Sequence, residues 1–330
     1  MHPWLDRIAA DKVLVIGDIM LDRYYFADVT RISPEGPVPV AQVKATKNTL
    51  GGAANVAHNL ARLGCQVSIA GISGEDENRR ILDQKFDALG IDPSGLLKTS
   101  RHTTTKVRVM GGHQQMIRLD FEDASQISRS VEKKLTDYFL HQLETGVDAV
   151  ILSDYGKGVC SPGLCRSLIQ GCRERDIPLV VDPKGDKWQK YKGAFLVTPN
   201  VKELSEVSHV ALRNEDKNIV TLGAAIRQRF GFDSLMVTRS EKGLSLMSDN
   251  SAPVHIPTYA REVFDVSGAG DTVAAVMGAS LAAGLKLVAA AHLANLAAGV
   301  VVGKLGTYAI SAAELGAALL QVQHPEEWEQ

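Results

Sequence analysis

Short runs of branched apolar residues alternate with amphipathic stretches along most of this 330-residue chain, and few folds accommodate that order. Lys12-Val-Leu-Val-Ile-Gly17 opens it as a continuously apolar strand. The same pattern predicts strands over 67–72, 149–153, 179–182, 194–198 and 234–238, with helices over 75–89, 130–143, 162–175 and 221–230. A strand apolar at every position must be covered on both faces, and strand–helix–strand units feed a parallel sheet. The order therefore predicts an α/β protein with a mostly parallel sheet and helices on both of its faces. No repeat or low-complexity linker divides residues 1–330, so a single domain is expected. In such sheets ligands bind beyond the carboxyl ends of the strands. Polar residues gather at those ends: Asp18, Ser153-Asp154, Asp182-Pro183-Lys184, Asn200 and Thr238-Arg239.

Two segments break the pattern, at about 23–47 and 101–120. The first holds Pro34, Pro37 and Pro39 before an alternating stretch to Lys44. The second alternates through Lys106-Val-Arg-Val-Met110, turns at Gly111-Gly112 and resumes to Leu119. Prolines and alternation suit edge strands. Together the segments predict a small β-sheet inserted into the body, placed to close over a site or to pair two copies in a homodimer.

Composition narrows the partners. Hydrophobic residues make up 45% of the chain, enough for a sizeable core, and a net charge of −2 from 36 basic and 38 acidic residues leaves no basic block for nucleic acid or an anionic membrane. A small-molecule partner is expected. Cys65, Cys160, Cys165 and Cys172 form no C-x-x-C pair, and the first residues lack the regions of a secretion signal, so free thiols in a cytoplasmic protein are the expectation. The apolar run from Val273 to Gly303 is interrupted by Lys286, His292 and Asn295, which favours packed core helices over a membrane span.

The chemistry centres on Asp265-Val-Ser-Gly268-Ala269-Gly270-Asp271-Thr272. Glycines at a helix start bring backbone N–H groups close to an anion, and Asp271 in the first turn is kept ionised by the helix dipole. A base beside an anion cradle is what phosphoryl transfer to a hydroxyl needs. A capped helix start with an ordinary N-terminal acid explains the same octapeptide. A second glycine pair, Gly51-Gly52, precedes Asn55 at another helix start, where close packing is the alternative to ligand approach. Asp18 and Asp22, four apart beyond the first strand, suit sugar hydroxyls or a metal, or else are loop and cap acids.

Taken together, Gly51-Gly52-Ala-Ala-Asn55, Pro199-Asn200-x-x-Glu203 and Asp265-x-x-Gly268-Ala-Gly-Asp271-Thr272 resemble the ribokinase-like (PfkB-type) family of sugar kinases over nearly the whole chain. Gly17-Asp18-Ile-Met-Leu-Asp22, Ser153-Asp-Tyr-Gly-Lys-Gly158 and Asp182-Pro-Lys-Gly185 resemble most closely its branch acting on D-glycero-β-D-manno-heptose 7-phosphate, in ADP-heptose and lipopolysaccharide core synthesis. The resemblance implies a three-layer α/β/α sandwich with a β-sheet lid, and ATP-dependent phosphorylation of the anomeric hydroxyl. It implies Asp271 as catalytic base, an anion hole of Gly268, Ala269 and Gly270 N–H groups, and sugar contacts from Asp18, Asp22, Gly51, Gly52 and Asn55. Asn200 and Glu203 are implied to organise Mg²⁺ and the ATP phosphates, partly through water, while Thr238, Arg239, Gly243 and Asn295 fall on the nucleotide side. Asn295 also reads as a satisfied core amide. Some relatives bind a monovalent cation such as K⁺ beside the anion hole, which the residues leave open. For the substrate's own phosphate, Lys157 and Lys184 in loops are preferred to Lys106, Arg108 and Arg118, since strand cations are more often solvated; neutralising the ATP phosphates is the alternative for Lys184. With only a short helix after the last motif and no His-x-Gly-His string, kinase activity alone is expected. A kinase for another sugar and a non-catalytic sugar- or nucleotide-binding regulator are the competing readings.

Overall fold

The computed structural model describes residues 3–112, 114–249, 251–304 and 306–329. A short helix, α1 (Pro3–Ile8), leads into β1 (Lys12–Gly17). After Asp18 the chain turns directly into a long strand, β2 (Ile19–Ile32), antiparallel to β3 (Pro39–Gly52). Helix α2 (Ala53–Leu63), β4 (Gln66–Ser73), α3 (Glu77–Leu89) and β5 (Asp92–Lys98) follow, then the antiparallel pair β6 (Thr105–Gly111) and β7 (Gln114–Phe121). Alternation resumes through α4 (Arg129–Thr145), β8 (Ala149–Ser153), α5 (Pro162–Arg173), β9 (Leu179–Asp182) and β10 (Leu196–Val197). It continues with α6 (Val201–Ser208), α7 (Asp216–Phe230), β11 (Ser234–Thr238), β12 (Leu244–Ser248) and β13 (Val254–Ile256). Helices α8 (Ala269–Ala282), α9 (Leu287–Val301) and α10 (Ala312–Leu319) come last.

Side-chain parity on the strands explains the layers. Val13 and Val15 of β1, with Ile151, Val180, Leu196 and Met236, pack into one core with α2, α8 and α9. Their neighbours Leu14 and Ile16, with Val150, Leu152, Val181, Val197, Leu235 and Val237, pack into a second core with α4, α5 and α7. Successive side chains point to opposite faces, so a sheet covered on both sides needs apolar residues at every position. Burying each is worth about 1.5–3 kcal/mol, which confines acids to the strand ends. The sheet order is β5-β4-β1-β8-β9-β10-β11-β12-β13, parallel except at the β11–β12 and β12–β13 pairs.

A second sheet, β3-β2-β6-β7, gathers the two segments that break the alternation. Its register sets Asp22 opposite Lys106, Tyr24 opposite Arg108, and Arg108 opposite Arg118. One face therefore carries these charges, while Ile117, Leu119 and Phe121 stand exposed on the other. One expectation is corrected here. Asp22 lies within β2 rather than in a loop, because Ile19-Met20-Leu21 extends the apolar run past Asp18. Gly51-Gly52 ends β3 and leads straight into α2, with Gly52 as its N-cap: Gly52 has φ 55°, and a Cβ there would lie 2.5 Å from the Asp18 carbonyl oxygen. Strands β5, β12 and β13, which the alternation does not predict, extend the sheet at both edges. Among the described residues no helix is long and apolar enough to cross a membrane, and all four cysteines are free and buried.

Candidate active site

Asp271 sits in the first turn of α8, 2% exposed. Asn55 Nδ2 donates to its Oδ2 at 2.7 Å and the Tyr155 hydroxyl donates to its Oδ1 at 2.7 Å. Burial lifts its carboxyl from the usual 3.8 to about 6; the two donors oppose the rise and Asp22 adds to it. The N-cap of α8 is Gly268, at φ 83°, where a Cβ would lie 2.8 Å from Asn55 Nδ2. Glycine thus lets the helix end close on Asn55, whose own Oδ1 is buried without a partner. The Ala269 N–H is engaged by the Val266 carbonyl at 3.2 Å. The N–H groups of Gly268, Gly270 and Asp271 have no acceptor among the described residues, as helix geometry requires of a first turn.

Across from Asp271, Asp22 is buried and ion-paired with Arg108 at 2.5 Å. Burial raises its carboxyl against the pull of Arg108, Lys106 and Arg118. Gly51 closes this corner, since a Cβ there would lie 2.5 Å from Asp22 Oδ2. Arg108 also lies 5.2 Å from the centre of the Tyr24 ring. The expectation that the cations of the second sheet are solvated is corrected for Lys106 and Arg108, whose side chains are only 17% and 15% exposed and are held in a charged network. Lys106 reaches Asp120 and Glu122 (3.7 Å each), and Lys157 meets Glu122 at 2.7 Å.

Asp18, expected on the sugar side, turns its carboxylate to backbone N–H groups. Its Oδ2 accepts the N–H groups of Tyr155 (2.8 Å) and Lys157 (2.9 Å), and its Oδ1 that of Val159 (3.1 Å), so the carboxylate is committed to the turn after β8. It approaches Asp154 and Cys160, yet Asp154 already accepts from Gly156 N, Lys190 and the Tyr191 hydroxyl.

Asn200 caps α6 in a reciprocal box with Glu203: Asn200 Oδ1 accepts the Glu203 N–H (2.9 Å) and Glu203 Oε2 the Asn200 N–H (3.1 Å). Lys184 Nζ donates to Glu203 Oε1 at 2.9 Å, which groups Lys184 with Asn200 and Glu203 rather than with the Asp22 side. Asp182, at the end of β9, is raised well above the usual carboxylate range by burial and then by Glu203 and Asp271, with Lys184 opposing. A hard cation that keeps its waters fits this set, because the inner oxygens of Asn200 and Glu203 are occupied by the cap. Thr238 is bridged to Asn200 through its N–H on the Pro199 carbonyl (2.9 Å).

Arg239, Gly243 and Asn295, which the resemblance places on the nucleotide side, each also have a role within the fold. The Arg239 side chain is 2% exposed, donates to Asn214 and Ser245 and pairs with Asp216 at 2.7 Å, so it ties α7 to β12. Gly243 has φ 77° and a Cβ would run into the Ile256 carbonyl. Asn295 Nδ2 donates to the Pro257 carbonyl at 2.7 Å, the core-amide alternative. Tyr155 is the residue that sequence reasoning missed. Its position in Ser153-Asp-Tyr-Gly-Lys-Gly158, just past a buried strand and before Gly156 at φ 69°, was the available signal.

The profile of the pfkB family carbohydrate kinases matches residues 10–314. The chain belongs to that family. It is 46% identical over 318 residues to the bifunctional protein HldE of Geobacter sulfurreducens, covering 96% of this chain and 64% of that protein. It is 48% identical over 314 residues to the HldE of Magnetococcus marinus, covering 93% and 64%. The chain thus spans slightly less than two thirds of the length of these relatives. Among solved structures, the family member resembles Arabidopsis thaliana ribokinase complexed with ribose and ATP (TM-score 0.75, 19% identity, 95% of this chain and 100% of that one). It also resembles Escherichia coli phosphofructokinase-2 in complex with substrates and products (TM-score 0.77, 17% identity, 94% and 98%). These likenesses show the ribokinase-like fold.

Proposed function

We propose that the protein transfers the γ-phosphoryl group of ATP to the anomeric hydroxyl of D-glycero-β-D-manno-heptose 7-phosphate, with residues 1–330 working as one kinase unit. The observation that carries the reading is Asp271, a buried carboxylate held by two donors at the open N-terminal turn of α8. In this account the sugar hydroxyl gives its proton to Asp271, and the N–H groups of Gly268 and Gly270 receive the charge that develops on the transferred phosphoryl group. Asp22, Gly51, Gly52 and Asn55 hold the sugar. Mg²⁺, held through water by Asn200, Glu203 and Asp182, offsets phosphate charge when bound. Lys184, beside Glu203, faces the ATP phosphates, while Arg108, Lys106 and Lys157 on the second sheet and its neighbouring loop supply the cations a sugar phosphate needs.

The choice of heptose rests on the resemblance of the motifs and on the HldE relatives. Asp271→Asn tests the chemistry: turnover should fall on the order of 10²-fold or more while ATP and sugar still bind. Near-normal turnover would assign the proton to another group. We also infer a cytoplasmic homodimer formed through the second sheet, whose Ile117, Leu119 and Phe121 are 51%, 43% and 55% exposed. A monomer in sedimentation equilibrium would remove that part of the reading.

A further inference from the structure

We propose that Tyr155 is the positioning residue of the base, and that Asp18 acts on the reaction by clamping the turn that presents Tyr155 to Asp271. The inference rests on Asp271 being the base. Two buried carboxylates flank Tyr155 in the fold: Asp18 takes the N–H groups of Tyr155, Lys157 and Val159, and Asp154 takes that of Gly156 together with Lys190 and the Tyr191 hydroxyl. Burying two acids is costly, and it is tolerated where they are fully hydrogen-bonded. What they hold is a turn with Gly156 at φ 69° and Gly158 at φ 91°, whose side-chain product is one contact, the Tyr155 hydroxyl on Asp271 Oδ1 at 2.7 Å.

The consequence for the base is geometric. Tyr155 from the turn after β8 and Asn55 from α2 each bind a different carboxylate oxygen, which fixes the plane of Asp271 and leaves a second lone pair on each oxygen for a substrate hydroxyl. Tyr155 remains a donor because burial and the surrounding acids Asp271, Asp182 and Asp22 hold its phenol well above its usual range. The charged groups facing Asp271 are Asp22 from β2, which raises its proton affinity, Asp182 from β9, whose own carboxyl Asp271 helps to raise, and the N-terminal dipole of α8, which lowers it. Removing the Tyr155 hydroxyl takes away a donor to the ionised form, so the base should hold its proton to higher pH.

The test uses the full chain. In Tyr155→Phe the acid limb of the kcat/KM profile should move to higher pH by roughly one unit, the scale of a lost hydrogen bond to a charged group, with KM for MgATP and the melting temperature near those of the wild type. Asp18→Asn should move the limb in the same direction, and Tyr155→Phe/Asp18→Asn should move it no further than the larger single change. A Tyr155→Phe profile that superimposes on the wild type overturns the proposal, as does an Asp18→Asn shift undiminished in the Tyr155→Phe background. If Asp18→Asn does not fold, Tyr155→Phe decides alone. Asp271→Asn separates the two levels: an active Asp271→Asn removes the base reading, whereas an inactive one beside an unshifted Tyr155→Phe removes only this inference.

Discussion

Asp271→Asn should make the protein more stable while turnover falls on the order of 10²-fold or more, because the ionised carboxylate is a strained feature of the native state. Burial moves its carboxyl from the usual 3.8 to about 6. At about 1.4 kcal/mol per unit this withholds roughly 3 kcal/mol of folding stability. The sign follows from proton affinity. The native protein binds this proton more tightly than the unfolded chain, so the penalty is absent below pH 3.8, grows between the two values and is complete above pH 6. The amide cannot ionise and escapes it. Against this, one of the donors now facing Asp271 would meet an N–H₂ group, although turning the Asn55 amide would let its unpartnered Oδ1 accept from it. A gain of about 1–3 kcal/mol at pH 8 is expected. Urea unfolding of both proteins at pH 8, 6 and 4.5 measures it, and the gain should shrink as pH falls through 6. A variant less stable than the wild type at pH 8, or a gain unchanged at pH 4.5, would refute the reasoning.

Glu203→Ala removes half of the α6 capping box and the partner of Lys184, so stability should fall by about 1 kcal/mol and the Mg²⁺ titration of activity should shift to higher concentration; an unchanged titration counts against the metal role. Arg108→Ala leaves Asp22 buried without its ion pair, and KM for the sugar phosphate should rise at least ten-fold while KM for ATP holds, as steady-state kinetics would show. Gly243→Ala should destabilise the β12–β13 region by about 2 kcal/mol or more, since φ 77° and the Ile256 carbonyl both exclude a side chain; a melting curve like that of the wild type would deny the packing role.

The three-layer body was legible because parity and apolar runs read out directly: β1 and β9 occupy the residues the pattern indicates, and β11 does as well. The edge strands were not. β5 contains Pro93 and Gly95, and β12 and β13 are separated by a polar stretch, so neither carries the continuous apolar signal of a central strand. In the candidate site, Asp271, Asn55 and Glu203 belong to the motifs, but the Tyr155 donor to Asp271 and the Lys184 donor to Glu203 come from other segments. Asp18 illustrates the limit: its type and strand-end position fit a ligand, and only three amides from residues 155–159 reveal that its oxygens are occupied. The same holds for Arg239, since nothing local announces Asp216, Asn214 and Ser245 around its guanidinium. Lys106 and Arg108 look like strand cations until the register sets them on the face of Asp22.

The central claim is phosphoryl transfer to an anomeric hydroxyl of a sugar that already carries a phosphate. Incubating the protein with MgATP and D-glycero-β-D-manno-heptose 7-phosphate, and following the products by ³¹P NMR, tests it most directly. The account predicts a new anomeric phosphate resonance beside an unchanged 7-phosphate, with one ADP formed per product and no signal from Asp271→Asn. Phosphorylation of free ribose or fructose with none of the heptose phosphate would contradict it, as would ADP release without a new phosphate ester.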